Sequence, residues 1–200
     1  DKVLSTVEVK KAWYGLKFSA DGKTLYASGG HDNWILKYAV TNNKLVLKDS
    51  IKLGEKWPAK IAPAGIEIDD AGKTMYVVTK EDNSLYIIDL KRKEVMPAIP
   101  LPGEAYNCLL SPDKKKLYIS CWGCDKVIVY DTDTQRTKTI PVGDNPNELC
   151  LTKNGKYLFV ANANDNSVSV INTAEQIVIE TLNAALYPDA PPGSTSNGLA

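Results

Sequence analysis

The chain has 200 residues and a single histidine, so at most one imidazole is at hand for acid–base work. It has two Phe and two Met against ten Tyr and four Trp. Neither sign of charge is in excess: 24 Lys and Arg face 24 Asp and Glu. That balance argues against a nucleic-acid backbone binder, which needs surplus Lys and Arg. No apolar run approaches the length of a membrane span. No segment holds apolar residues at helical spacing over three turns. There is no Gly-x-Ser-x-Gly elbow, Walker loop or zinc-protease helix. Paired carboxylates occur at Asp69-Asp70 and Glu81-Asp82, but in turns, where Asp is favoured anyway. No signal peptide is visible, and a chain opening at Asp1 is how a mature or trimmed product would look. The length allows one domain or two, and 44% hydrophobic residues suffice for a sizeable core.

What is present is a repeat. Gly22-Lys23-Thr24-Leu25-Tyr26 returns as Gly72-Lys73-Thr74-Met75-Tyr76, Lys114-Lys115-Lys116-Leu117-Tyr118 and Gly155-Lys156-Tyr157-Leu158-Phe159. The closing aromatics lie 50, 42 and 41 residues apart, the length of one four-stranded propeller blade. Before each phrase a short strand alternates: Leu16/Phe18, Ile66/Ile68, Cys108/Leu110, Leu149/Leu151. The connecting turns read Asp21-Gly22, Ala71-Gly72, Pro112-Asp113 and Asn154-Gly155, types that supply a positive or preset φ. A second turn follows the aromatic at Asp32-Asn33, Asp82-Asn83, Cys124-Asp125 and Asp165-Asn166. A third strand comes next, then a turn at Asp89, Asp131 or Asn172, then a less hydrophobic fourth strand, Leu45–Ile51, Glu94–Ile99, Arg136–Ile140 and Ile177–Leu182, as expected at a solvent edge.

The fold class predicted is all-β: a β-propeller of four-stranded antiparallel blades, with about four blades in residues 1–200. The blades fall at about 15–53, 65–101, 107–142 and 148–182. Residues 3–9 read as an orphan outer strand, and 198–200 as the start of a fifth blade. On this reading the chain is part of a longer propeller, and the first partner of these blades is the remainder of their own chain.

Strand alternation sorts the loops onto two faces. One is small and polar: Asp21-Gly22-Lys23, Asn42-Asn43, Lys91-Arg92-Lys93, Lys114–Lys116, Thr134-Gln135-Arg136. The other collects Trp13, Tyr14, His31, Trp34, Trp57, Tyr106 and Trp122, with the two longest inter-blade loops, Gly54–Ala64 and Asn183–Asn197. Aromatics and long loops on a rigid scaffold make this the candidate binding face, for a protein, polymer or small molecule. The same tryptophans could instead be packing lids over the blade tops, and the sequence leaves both readings open. On the inner strands Lys17 and Glu67 read as a charge pair between neighbouring blades or as polar groups for a channel ligand.

Cys121-Trp122-Gly123-Cys124 is a CxxC in the third repeat. A metal site needs two more soft ligands nearby, a haem attachment needs His where Asp125 stands, and a redox pair belongs at a helix start. A local disulfide between Cys121 and Cys124, or two free thiols, remains, the disulfide requiring an oxidising compartment. Cys108 and Cys150 read as small buried hydrophobes. No catalytic, cofactor or metal residue is assigned.

The segments Leu25–Ser28, Met75–Thr79, Leu117–Cys121 and Leu158–Asn162, each followed by its turn, resemble YVTN-type β-propeller repeats. That family implies seven blades in the parent and an extracytoplasmic site, periplasmic or secreted, in bacteria or archaea. It includes surface-layer proteins and lactonase-like enzymes. Tyr187–Asn197 and Tyr118–Gly123 are similar to bacterial proteins in which such a propeller precedes a phosphoesterase domain of the alkaline phosphatase superfamily. The resemblance thus implies a binding or scaffold module, with an accessory domain of a phosphoesterase and a lactonase-like hydrolase as alternatives.

Overall fold

Four antiparallel sheets follow one another along the chain in the computed structural model, which describes residues 2–55, 58–69, 73–191 and 198–199. The first sheet holds β1 (Leu16–Phe18), β2 (Thr24–Ser28), β3 (Trp34–Thr41) and β4 (Lys44–Lys52). The second holds β5 (Pro63–Ile68), β6 (Thr74–Thr79), β7 (Ser84–Asp89) and a fourth strand broken into β8 (Glu94–Val95) and β9 (Ile99–Pro100). The third holds β10 (Ala105–Leu110), β11 (Lys116–Cys121), β12 (Lys126–Asp131) and β13 (Thr137–Pro141). The fourth holds β14 (Pro146–Leu151), β15 (Tyr157–Asn162), β16 (Ser167–Asn172) and β17 (Ile177–Asn183). In each sheet the strands pair in chain order, up and down.

The chain divides into two units, Asp1–Leu101 with the first two sheets and Pro102–Ala200 with the last two. The recurring phrase supplies the core of each. In the first, Tyr26, Ile35, Ile66, Ile68, Met75, Val77, Tyr86 and Ile88 form one cluster. In the second, Tyr118, Val127, Val129, Ile140, Leu149, Leu158, Val160 and Ile171 do the same. Fully burying a side chain of this size contributes roughly 1.5–3 kcal/mol. Neighbouring sheets in a unit are also linked by a repeated hydroxyl: Ser28 Oγ donates to the Pro63 carbonyl, and Ser120 Oγ to the Asn147 carbonyl at 2.6 Å.

The turns show why the phrase recurs. Gly22 and Gly155 adopt φ +67° and +71°, the left-handed region that glycine enters freely. In the third repeat Lys114 takes that place at φ +63°. The turn is held from within: Ser19, Ser111 and Thr152 donate their hydroxyls to Asp21, Asp113 and Asn154 at 2.7, 2.6 and 2.8 Å. At the next turn Asn33, Asn83, Asp125 and Asn166 are all left-handed, a conformation Asn and Asp tolerate. At the third, Asp89, Asp131 and Asn172 accept backbone N–H bonds from the turn residues.

Three expectations fare differently. The fourth strand of the second repeat, read as running through Glu94–Ile99, is interrupted at Met96-Pro97-Ala98 because proline has no N–H for the ladder. Residues 3–9 form no strand ladder; Val7 and Val9 rest on Leu25, Ala27 and Tyr38. Gly198 and Leu199 belong to no strand. Ala71-Gly72, Trp57, residues 192–197 and Ala200 lie outside the described residues.

Candidate binding surface

In the first unit four loops meet at one end of the blades. The turn Gly30–Asp32 is one tight helical turn, closed by Asn33 N–H donating to the Gly30 carbonyl at 2.9 Å. Asn33 is fully buried, and its side chain grips the inter-blade loop. Its Nδ2 donates to the carbonyls of Glu55 at 2.5 Å and Ala59 at 2.7 Å, and its Oδ1 accepts from Ala62 N–H at 2.9 Å. The loop is gripped from the other blade as well, by Lys80 N–H to the Ala62 carbonyl at 3.0 Å and Glu81 N–H to the Ile61 carbonyl at 3.1 Å. Lys11 Nζ reaches Asp32 Oδ1 at 3.2 Å.

On this frame Trp13 is 52% exposed, with Lys80 Nζ 3.9 Å from the ring centroid. A cavity of about 420 Å³ is lined by Lys11, His31, Lys60 and Glu81, and Trp13 lines a different one, of about 380 Å³, with Val7, Val9, Tyr14, Leu25 and Tyr38. Trp34 behaves differently. It lies so close over Gly29 that a Cβ there would come within 2.0 Å of Trp34 Cδ1. Tyr14 is half-buried.

In the second unit the corresponding turn, Trp122–Cys124, follows directly from β11. Cys121 and Cys124 are joined in a disulfide across it. Asp125 is left-handed at φ +53° and accepts from Asn145 N–H at 3.0 Å. Asn145 Nδ2 in turn donates to the Trp122 carbonyl at 2.9 Å, and Gly123 N–H to the Glu104 carbonyl at 3.1 Å. The Trp122 ring stacks on Tyr106, centroids 5.9 Å apart and planes inclined by 24°. Burial, with the Glu148 carboxylate adding to it, pushes the Tyr106 phenol up. Tyr106 is therefore a neutral hydrogen-bonding group at ordinary pH.

In the first unit His31 lines one cavity and Trp13 another, and in the second Tyr106 and Trp122 form a stacked pair. Trp34 packs down as a lid, and Trp57 is not among the described residues. Lys17 and Glu67 form a 2.7 Å ion pair, and Glu67 Oε1 also accepts Ile68 N–H at 2.8 Å. That leaves the pair tied into the inner strands. Cys108 is a buried free thiol and Cys150 a half-buried one.

Asp82 accepts from Tyr86 OH at 2.7 Å and from Thr79 Oγ1, so it holds its turn together. Desolvation, with Asp82 beside it, pushes the Tyr86 phenol up. Among the described residues no three of His, Cys, Asp and Glu converge as a metal site requires. No helix of the described residues is long and apolar enough to cross a membrane. Sequence reasoning missed Lys11, Lys60 and Lys80 on these loops, and set Glu81 aside as a turn carboxylate. These residues come from loops far apart in the chain, and no spacing announces them.

Comparison with known proteins places this geometry. A solved structure of Kuenenia stuttgartiensis hydrazine synthase superposes with a TM-score of 0.76, at 22% identity, over 88% of this chain and 50% of that one. These are four blades of a β-propeller. A family profile described as "Lactonase, 7-bladed beta-propeller" matches residues 89–186. Antigen Lp49 of Leptospira interrogans is 27% identical over 140 residues, 64% of this chain and 29% of that protein. A 6-phosphogluconolactonase of Enterobacter sp. (strain 638) is 23% identical over 119 residues, 56% of this chain and 36% of that protein. The matched propeller segment is thus about a third of these curated relatives' length.

Proposed function

We propose that this propeller segment is an extracytoplasmic binding or scaffold module of the YVTN type. Its aromatic-bearing loop end would receive a protein, polymer or small-molecule ligand. The observation that carries the reading is the Tyr106–Trp122 stack, presented on a turn that is fixed both by a disulfide and by Asn145. A rigid, partly exposed aromatic pair binds at little cost in side-chain ordering. The disulfide supports an oxidising, extracytoplasmic compartment. The test substitutes Trp122→Ala and Tyr106→Ala. Both variants are expected to keep the far-UV circular dichroism of the parent and a cooperative urea transition. Loss of the fold in both would make the pair a packing lid and overturn the reading.

A second reading, a lactonase-like hydrolase, is favoured by the profile match over residues 89–186. Against it stands the engagement of the loop-end carboxylate Asp82 in its own turn. Lactone hydrolysis by the 200-residue chain, measured by pH-stat, would replace the first reading with the second. The third, an accessory domain of an alkaline-phosphatase-superfamily phosphoesterase, rests on the resemblance of Tyr187–Asn197 and Tyr118–Gly123 alone. Phosphatase activity appearing only in a longer parent chain would support it.

A further inference from the structure

We propose that the Cys121–Cys124 disulfide is a reversible latch on the Tyr106–Trp122 platform: closed, it holds the platform in place, and opened by a dithiol, it releases it. The proposal rests on the reading of that pair as a binding surface and adds its regulation.

The two sulfurs differ in reach. Cys121 ends β11, is paired on both sides, to Ala105 and to Lys126, and is fully buried. Cys124 is half-buried and follows the exposed Gly123, so it is the one a reductant meets first. A thiolate of the dithiol attacks Cys124 Sγ and forms a mixed disulfide; Cys121 leaves as the thiolate and takes up a proton. The second sulfur of the dithiol then closes on the first as a cyclic disulfide and releases Cys124, which takes up the other proton. Two electrons pass from the dithiol to the cysteine pair. A dissolved disulfide such as oxidised glutathione runs the exchange in reverse. The helical turn after Cys121 is three residues long, without the full helix that makes a catalytic thiol acidic. The pair is therefore a switch rather than a redox catalyst.

Opening the bond displaces the turn. Unbonded sulfurs need roughly twice the separation of bonded ones. Gly103 backs both cysteines so closely that a Cβ there would come within 3.3 Å of Cys121 Sγ and 3.1 Å of Cys124 Cβ. With Cys121 held in its strand, the room comes from Cys124 moving outward, and the turn moves with it. Trp122 and Gly123 lie inside the ring that the disulfide closes. The ties this motion loosens are Gly123 N–H to the Glu104 carbonyl at 3.1 Å and Asn145 Nδ2 to the Trp122 carbonyl at 2.9 Å. Trp122 then leaves its place against Tyr106, which belongs to β10 and stays behind. The first repeat has no such release, because its turn hangs on the bonds of the buried Asn33.

The experiment is NMR of the 200-residue chain, oxidised and then in about 10 mM dithiothreitol without denaturant. Reduction should speed amide exchange at Gly123 about tenfold or more and weaken the nuclear Overhauser effects between the Tyr106 and Trp122 rings. Asn33 N–H should respond far less, and oxidised glutathione should restore slow exchange at Gly123. Cys121→Ser with Cys124→Ser should match the reduced chain and ignore dithiothreitol; if that variant does not fold, the reduced parent gives the same readout. Three outcomes overturn the proposal. The disulfide stays closed in dithiothreitol; Gly123 exchange and the ring contacts are unchanged by reduction; or Asn33 N–H is accelerated as much as Gly123 N–H, which would make the bond a staple of the whole fold. Unchanged exchange leaves the platform reading standing as a permanently rigid surface. Loss of the fold in Trp122→Ala and Tyr106→Ala removes that reading and leaves the Gly123 result as a property of the turn.

Discussion

In the first repeat, the turn after the second strand is built on Gly29, Gly30 and Asn33; in the third, the same turn is built on Cys121, Gly123, Cys124 and Asp125. Each carries a tryptophan. In the first, Trp34 lies flat on Gly29, and the turn is anchored by a buried amide that both donates and accepts. In the third, Asp125 stands where Asn33 does, and a carboxylate can only accept, so it holds one N–H of Asn145. The donating half of the clamp is supplied from outside by Asn145 Nδ2, and the disulfide adds the remaining constraint. A turn stapled covalently does not need its aromatic for packing. Trp122 is free to stack on Tyr106, while Trp34 closes over its own backbone. The same turn thus carries a lid tryptophan just after its left-handed residue in one repeat, and a platform tryptophan three residues before it in another.

The strongest way to break this comparison is at Asn33. Asn33→Ala leaves the carbonyls of Glu55 and Ala59 and the N–H of Ala62 without their buried partner, and it puts a Cβ-bearing residue without Asn's local bonding at φ +58°. The expected loss is about 3 kcal/mol, read as a fall in the urea midpoint. A loss below about 0.5 kcal/mol would show that the loop is held by its other ties alone. The disulfide comes next. Cys121→Ser with Cys124→Ser closes no loop in the unfolded chain, and a loop this short is worth about 2 kcal/mol in the chain-entropy account. Dithiothreitol should shift the parent's urea midpoint to that of the double variant and leave the variant unmoved.

The two tryptophans sharpen the contrast itself. Trp34→Ala uncovers Gly29 and should cost about 2 kcal/mol, whereas Trp122→Ala should cost below about 1 kcal/mol. Equal losses in the two urea melts would erase the distinction between lid and platform.

Much of this architecture was legible before any coordinates. The Leu-Tyr phrase, its turn glycines and the Asp-Asn pairs are local signals, each tied to one strand end or one left-handed residue. They placed β2, β6, β11 and β15 and, among the described residues, the turns between the strands. The same locality explains what stayed hidden. The bond from Asn33 to Ala59 and the approach of Lys80 to Trp13 join residues that no periodicity links. The break in the outer strand at Pro97 was readable from the missing N–H, but the apolar pattern of Glu94–Ile99 masked it. Residues 3–9 alternate like a strand, yet alternation cannot supply the hydrogen-bonding neighbour that a ladder requires.

The smallest predicted effect lies on the opposite face, in the turns the phrase builds. Asp113 accepts from Ser111 Oγ at 2.6 Å and from Lys115 N–H at 3.1 Å, and these bonds, the hydroxyl first, hold its carboxyl below the usual aspartate range. A carboxyl depressed in the folded state contributes stability above its unfolded value near 3.9, and that contribution is lost as pH falls through the lower folded value. In the fourth repeat Asn154 Oδ1 accepts the corresponding bonds, from Thr152 Oγ1 at 2.8 Å and from Lys156 N–H at 3.0 Å, with nothing to titrate. Asp113→Asn should therefore leave the turn intact while removing one acid-sensitive group. Followed by circular dichroism, its acid transition should lie at slightly lower pH than the parent's and be slightly less steep. Asp21, Asp89 and Asp131 are depressed by similar bonds and remain, so the shift is a fraction of the whole transition. Superimposable acid curves would mean that the Asp113 bonds are made equally in the unfolded chain, and that the choice of Asp or Asn at this turn has no bearing on acid stability.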